Sequence, residues 1–165
     1  GFFAKDIIDS TLRSISVIAT TTLVFGAALW YADSLPQRQR IMTFPAAIFI
    51  GLAQCIALIP GTSRSGITIT AALLIGLGRT QSARFSFLLA IPTILGAQLL
   101  MMVDLSLEQM LSDSSTMLSA AALAGLSAYA CIHFFIALVE RTGMRPYVYY
   151  RIALGLILFG IVALA

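Results

Sequence analysis

The 165-residue chain is 59% hydrophobic and 10% charged, with a mean hydropathy of +0.97. Soluble domains carry about 25% charged residues, so this composition excludes a water-soluble globular domain and specifies an integral membrane protein. The net charge of +3 is scattered over short segments between apolar runs, where it reports orientation in a bilayer and implies no nucleic-acid surface.

Gly1–Lys5 has no signal-peptide pattern, and the chain reads as starting in mid-protein. Residues 1–14 mix Lys5, Asp6, Asp9 and Arg13 with apolar positions, as an interfacial lead-in would. A membrane helix is predicted over 15–31, where Thr20, Thr21 and Thr22 can bond back to helix carbonyls and Trp30 and Tyr31 anchor the end. A polar loop follows over 33–40. Residues 44–78 hold two apolar arms, each short of the roughly 20 residues that span a bilayer, separated by a turn over 60–66. They are predicted to form a re-entrant helical hairpin, since irregular backbone at membrane depth is tolerated only where protein buries it or it lines a cavity. Full crossings are predicted over 85–103, 117–139 and 147–165, which makes the chain an all-α, multi-pass helical bundle within a single membrane domain, 1–165.

The turn, Ile59-Pro60-Gly61-Thr62-Ser63-Arg64-Ser65-Gly66-Ile67-Thr68, places an arginine between long apolar runs. An arginine at a membrane-helix centre costs roughly 2.5–3.5 kcal/mol, so Arg64 calls for a partner, and the natural one is an anion. Pro60 lacks an N–H, and Gly61 and Gly66 tolerate unusual backbone angles, so one helix should stop near Ile59 and another start near Ser65. Free N–H groups at a helix start, the hydroxyls of Thr62, Ser63, Ser65 and Thr68, and a guanidinium together describe a phosphate or diphosphate cradle. The competing reading is an interhelical turn whose arginine snorkels to the headgroups.

Other polar positions speak less specifically. Gln54, on the first arm, is a candidate to face the loop. Cys55 and Cys131 lack a paired spacing and read as small buried side chains. His133 has no second ligand-type residue at helical spacing and reads as a packed or interfacial histidine. Pro92 is expected to kink its helix beside the hairpin. Gly96, Gly125, Gly155 and Gly160 are small residues that let membrane helices approach closely. Arginines in the segments 33–40, 79–84 and 140–151 put those loops in the cytoplasm, and the connection carrying Asp104, Glu108 and Asp113 outside. The hairpin tip would then open toward the exterior.

The run Gln54 to Thr68, followed by Gly78-Arg79, Ala83-Arg84-Phe85-Ser86-Phe87-Leu88-Leu89-Ala90-Ile91-Pro92 and Tyr149-Tyr150-Arg151, resembles the C-terminal part of the bacterial undecaprenyl-pyrophosphate phosphatase family, the bacitracin-resistance type. That resemblance implies one half of an inverted-repeat architecture in which two re-entrant hairpins meet at the active site. It makes Arg64 the phosphate-binding arginine, with Ser63 and Thr68 as hydroxyl partners at the diphosphate and Gly61 and Ser65 shaping the loop; Thr62, Gly66 and Gln54 complete the expected substrate contacts. It also implies a divalent cation, Mg or Ca, held by glutamates of the family's first half. This chain shows neither the Glu-x-x-x-Glu motif nor the histidine turn of that half, so no metal ligand is expected here, and catalysis is expected to need the missing N-terminal repeat.

The implied reaction is hydrolysis of undecaprenyl diphosphate to undecaprenyl phosphate and inorganic phosphate in the bacterial inner membrane, recycling the lipid carrier for peptidoglycan synthesis and conferring bacitracin resistance. The implied partners are the polyprenyl diphosphate lipid, the bilayer and the missing repeat, with a homodimer as one assembly consistent with them. The alternative from another class is half of an inverted-repeat transporter for an anionic substrate, since such transporters also bring broken helices together at the midplane.

Overall fold

The computed structural model describes residues 14–38, 40–102 and 114–164, and among these every regular element is a helix. Asp104, Glu108, Asp113 and the lead-in before Ser14 lie outside them. Helix α1 (Ile15–Ser34) begins at Ser14, whose hydroxyl accepts from the Val17 N–H at 3.3 Å. Helix α2 (Phe44–Gln54) begins at Thr43, which accepts from the Ala46 N–H at 3.4 Å, and Pro45 stands in the first turn where its missing N–H costs nothing. A 3₁₀ turn, Cys55–Leu58, ends this arm. After a break, α3 (Arg64–Leu74) packs back against α2, and α4 (Arg79–Met102), α5 (Ser114–Thr142) and α6 (Arg145–Leu164) follow.

Ile15–Ser34, Arg79–Leu100, Thr116–Thr142 and Arg145–Leu164 are long and apolar enough to cross a membrane. The chain is therefore a multi-pass helical membrane protein. The two arms of the broken helix rise only about 22 and 16 Å, against a hydrocarbon core of about 30 Å.

Helix α3 is the centre of the molecule. Every residue from Ile67 to Leu73 is buried. On one side Ile69 and Leu73 pack with Leu29 and Ala32 of α1, Ala83 of α4, Val139 of α5, and Met144 and Val148 at the start of α6. On the other, Ala71 and Ala72 pack with Ile50 of α2 and with Leu77. The two polar side chains within this stretch are satisfied locally, Thr70 donating to the Gly66 carbonyl at 2.7 Å and Thr68 to that of Arg64 at 3.0 Å.

Asp33, expected in a loop, is instead a buried residue in the last turn of α1. It pairs with Arg79 Nε and accepts from the Met144 N–H at 3.4 Å, while Arg79 Nη2 donates to the Asp33 carbonyl at 2.9 Å. The Arg79 N–H donates to Gln37 Oε1 at 2.9 Å. These bonds gather the end of α1, the start of α4 and the turn into α6. They also explain why α4 starts at Arg79, ahead of the predicted 85: Gln37 supplies an acceptor for one of its first N–H groups. Arg79 and Arg84 in α4 and Arg145 and Arg151 in α6 sit within helices, not in loops. Helix α4 runs on through Pro92 without a break.

The most extensive helix–helix contact joins α1 and α6. Gly155 makes it possible, because a Cβ there would stand 2.6 Å from Leu23 Cγ and Cδ2. Nothing lies within 4 Å of where a Cβ would stand on Gly96, Gly125 or Gly160, so close packing at these glycines is not made within the described residues. Cys55 and Cys131 are free and exposed, not buried as their apolar surroundings suggest, because a membrane protein's outer face is apolar too. His133 is also exposed and stacks on Tyr129, with ring centroids 6.5 Å apart. Gly155→Val should destabilise the α1–α6 contact by about 1–3 kcal/mol, and adding Leu23→Ala should recover part of that loss. Thermal unfolding in detergent of the two single variants and the double variant measures both effects.

Candidate functional site

The break between α2 and α3 is closed by two backbone bonds, Ile59 N–H to Ile56 O at 3.0 Å and Thr62 N–H to Ile59 O at 3.2 Å. Gly61 turns the chain at φ +87°, and a Cβ there would collide with Thr21 Oγ1 and with the Ile18 carbonyl. The loop carbonyls are held from outside the hairpin. Pro60 O accepts from Thr21 Oγ1 at 2.6 Å, and Gly61 O accepts from Arg151 Nη2 at 2.8 Å and from Thr22 Oγ1 at 3.3 Å.

Ser63 is the hinge of the site. It has φ +65° and ψ +118°, a left-handed conformation that costs a side-chain-bearing residue about 1–3 kcal/mol. From it the Ser63 hydroxyl caps α3 by accepting from the Gly66 N–H at 3.3 Å, and it lies 3.5 Å from Ser65 Oγ. The remaining first-turn N–H groups of α3 have no acceptor within the helix, so this terminus is suited to an anion.

The predicted site residues divide into two groups. Ser63, Ser65 and Gly66 line one cavity of about 120 Å³, together with Arg151, Phe135 and Tyr147. Gly61 shapes the loop against Thr21. Arg64 is half-buried at the start of α3, and no described residue pairs with its guanidinium. The others stand behind the loop. Thr62 is fully buried with its hydroxyl unpartnered. Thr68 is buried, and besides its bond to the Arg64 carbonyl it shares a 2.7 Å hydrogen bond with Ser86 of α4, so it braces the backbone beneath Arg64. Gln54 donates from Nε2 to Thr93 Oγ1 at 2.9 Å and thereby ties α2 to α4, away from the cavity.

Three residues at the loop escaped the sequence reading as site residues. Thr21 and Thr22 look like ordinary back-bonding threonines, and nothing local shows that their hydroxyls also reach a loop 39 residues on. Arg151 carried a usable signal, an arginine followed at once by an apolar run, but counting it as a loop charge obscured it. Among the described residues no group of three or more His, Cys, Asp or Glu could hold a metal ion.

Ser63 offers a test that sets backbone strain against helix capping. Ser63→Gly should match or exceed the parent protein in thermal stability, since relief of backbone strain outweighs the few tenths of a kcal/mol lost with the cap. Ser63→Ala keeps the strain and loses the cap, so it should fall by about 1 kcal/mol. Thermal unfolding of both variants in detergent measures the difference.

The family model described as "Bacitracin resistance protein BacA" matches residues 1–157. Over 161 residues the chain is 53% identical to an undecaprenyl-diphosphatase of Alcanivorax borkumensis, a match covering 96% of this chain and 61% of that protein. It is 51% identical over 161 residues to an undecaprenyl-diphosphatase of Alteromonas mediterranea, covering 96% of this chain and 60% of that protein. The chain thus spans about three fifths of the length of the curated relatives it matches. With the family match running through the hairpin and on past Arg151, this chain belongs to the BacA bacitracin resistance protein family.

Proposed function

We propose that the chain forms part of an enzyme that hydrolyses undecaprenyl diphosphate to undecaprenyl phosphate and inorganic phosphate. The observation that carries this reading is the hairpin tip, where a capped helix terminus with the Ser63 and Ser65 hydroxyls begins at Arg64, whose guanidinium pairs with no described residue, on a loop held from outside the hairpin. The relatives bear the name of a diphosphatase, which favours hydrolysis over transport.

Phosphoryl transfer asks mainly for charge neutralisation and alignment. In this reading Arg64 and the hydroxyl of Ser63 contact the diphosphate, and Thr68 positions Arg64 by holding its carbonyl. Gly61, Thr62, Ser65 and Gly66 set the loop's shape and N–H directions, and Gln54 braces α2 against α4. The shortness of both hairpin arms supports a re-entrant insertion with the tip at membrane depth. The arginines near the ends of α1, α4 and α6 support a cytoplasmic location for those ends in a bacterial inner membrane, with the site opening to the exterior. The polyprenyl tail lies against lipid. The second inverted repeat is this chain's share of the fold, while the first supplies the acid–base groups and the ligands of a divalent cation that shares the diphosphate charge. A homodimer is compatible with the exposed apolar faces of α4 and α5.

The test is phosphate release from undecaprenyl or farnesyl diphosphate by the full-length protein in detergent. Arg64→Ala and Arg64→Lys should each lower turnover by about 10²–10³-fold at unchanged thermal stability, the size of losing a preorganised charge contact. A chelator should abolish release. An Arg64→Ala variant as active as the parent would overturn the reading.

A further inference from the structure

Arg84 has a setting that its place near a helix end does not explain. It is exposed in the second turn of α4, next to Ala83, which is buried in one cluster with Ala32, Leu73 and Met144. Leu73 follows Arg64 by nine residues of α3, a rise of about 14 Å, so Arg84 belongs to the end of the bundle away from the hairpin tip. Asp33, at that same end, is engaged by Arg79, and among the described residues no carboxylate pairs with Arg84.

Arg84 heads an apolar ridge. Leu88, Ile91 and Leu95 follow it at i+4, i+7 and i+11 on one face of α4, and they are 63%, 55% and 58% exposed, so nothing described covers that face. From Arg84 to Leu95 the helix rises about 16 Å, the depth of one leaflet of a hydrocarbon core about 30 Å thick. Phe85 and Phe87 lie to opposite sides of the ridge, and each lines a groove. The first groove, of about 380 Å³, is completed by Met42, Thr80 and Gln81; the second, of about 370 Å³, by Ile91 and by Ile132 and Ile136 of α5. Arg84 and Leu88 line both. Two grooves of mostly apolar surface therefore meet at one guanidinium.

Charge and shape together select the occupant. A phospholipid with two acyl chains presents a single phosphate above two apolar tails, and a guanidinium between two apolar grooves is the complement of that pattern. An unpaired cation favours a headgroup with net negative charge over one that carries its own ammonium. We propose that Arg84 and the two grooves form a binding site for an anionic diacyl phospholipid, with its phosphate on the Arg84 guanidinium and one chain on each side of Leu88. None of the residues lining these grooves lines the cavity at the hairpin tip, so the site does not rest on the phosphatase reading.

The experiment measures lipid binding to the full-length protein by native mass spectrometry from detergent. The probes are phosphatidylglycerol, phosphatidylcholine with the same chains, and lyso-phosphatidylglycerol, which has one chain. The parent is expected to bind phosphatidylglycerol more tightly than either of the others. Arg84→Gln should weaken phosphatidylglycerol binding by about tenfold, the loss of a charge-assisted hydrogen bond, and erase the preference over phosphatidylcholine. Arg145→Gln removes an exposed charge that lines neither groove and should leave both affinity and preference unchanged. Ile132→Trp fills one groove and keeps the charge, and should bring the two-chain lipid down toward the affinity of the one-chain lipid. Absence of a preference for phosphatidylglycerol in the parent overturns the proposal, and it is the result expected if the rest of the protein or a second copy covers the ridge. Equal losses in Arg84→Gln and Arg145→Gln overturn it in favour of a diffuse electrostatic attraction, and a one-chain lipid bound as tightly as the two-chain lipid overturns the two-groove site. If Arg84→Gln does not fold, Ile132→Trp carries the test, and unchanged affinity there overturns the proposal equally. Failure of the phosphatase reading would appear separately, as no phosphate release by the parent, and would leave the lipid affinities interpretable.

Discussion

The peptide groups at a helix break inside a membrane protein have no bulk water to bond with, so other parts of the chain must satisfy them. Here the Pro60 and Gly61 carbonyls find donors on two helices distant in sequence, Thr21 and Thr22 of α1 and Arg151 of α6. The same three residues determine where the loop sits and how the α3 terminus is presented. Gly61 has to be a glycine for both reasons at once, its positive φ and the Thr21 hydroxyl against it.

The rest of the structure keeps those donors in place. Helix α1 meets α6 closely at Gly155 and Leu23, so Thr21, Thr22 and Arg151 face the loop from one packed pair. Helix α3 is enclosed by two hydrophobic clusters, which leaves its terminus little freedom to shift relative to that pair. The Asp33–Arg79 pair joins three chain segments, fixing the ends of α1 and α6 relative to α4. An ion pair of this kind is weak support for stability where a partner is partly exposed; its contribution here is registry, since Asp33 Oδ1 and its carbonyl hold the start of α4 while Oδ2 accepts from the turn into α6.

Much of the candidate site's local geometry was legible because its signals are local. Proline and glycine mark the break, the hydroxyl run marks an anion-binding terminus, and a charged residue in an apolar run demands a partner. Arg64, Ser63 and the loop bounds follow from those rules. What local rules cannot show is direction. Thr68 and Gln54 have the chemistry of site residues, yet one faces Ser86 and the other Thr93. Arg151 obeys the same physical rule as Arg64 and escaped notice only because charges near helix ends are ordinarily solvated.

The sequence by itself determined the solvent, the number of long apolar segments and the position of the broken helix, because these depend on hydropathy and on backbone chemistry within a few residues. Only the tertiary structure decided that the break is latched by α1 and α6, and that Asp33 and Arg151 are buried while Cys55 and Cys131 are not. In a chain whose outer and inner faces are both apolar, hydrophobicity no longer distinguishes inside from outside. That distinction comes from which helices pack together, and it rests on contacts between residues far apart in the chain.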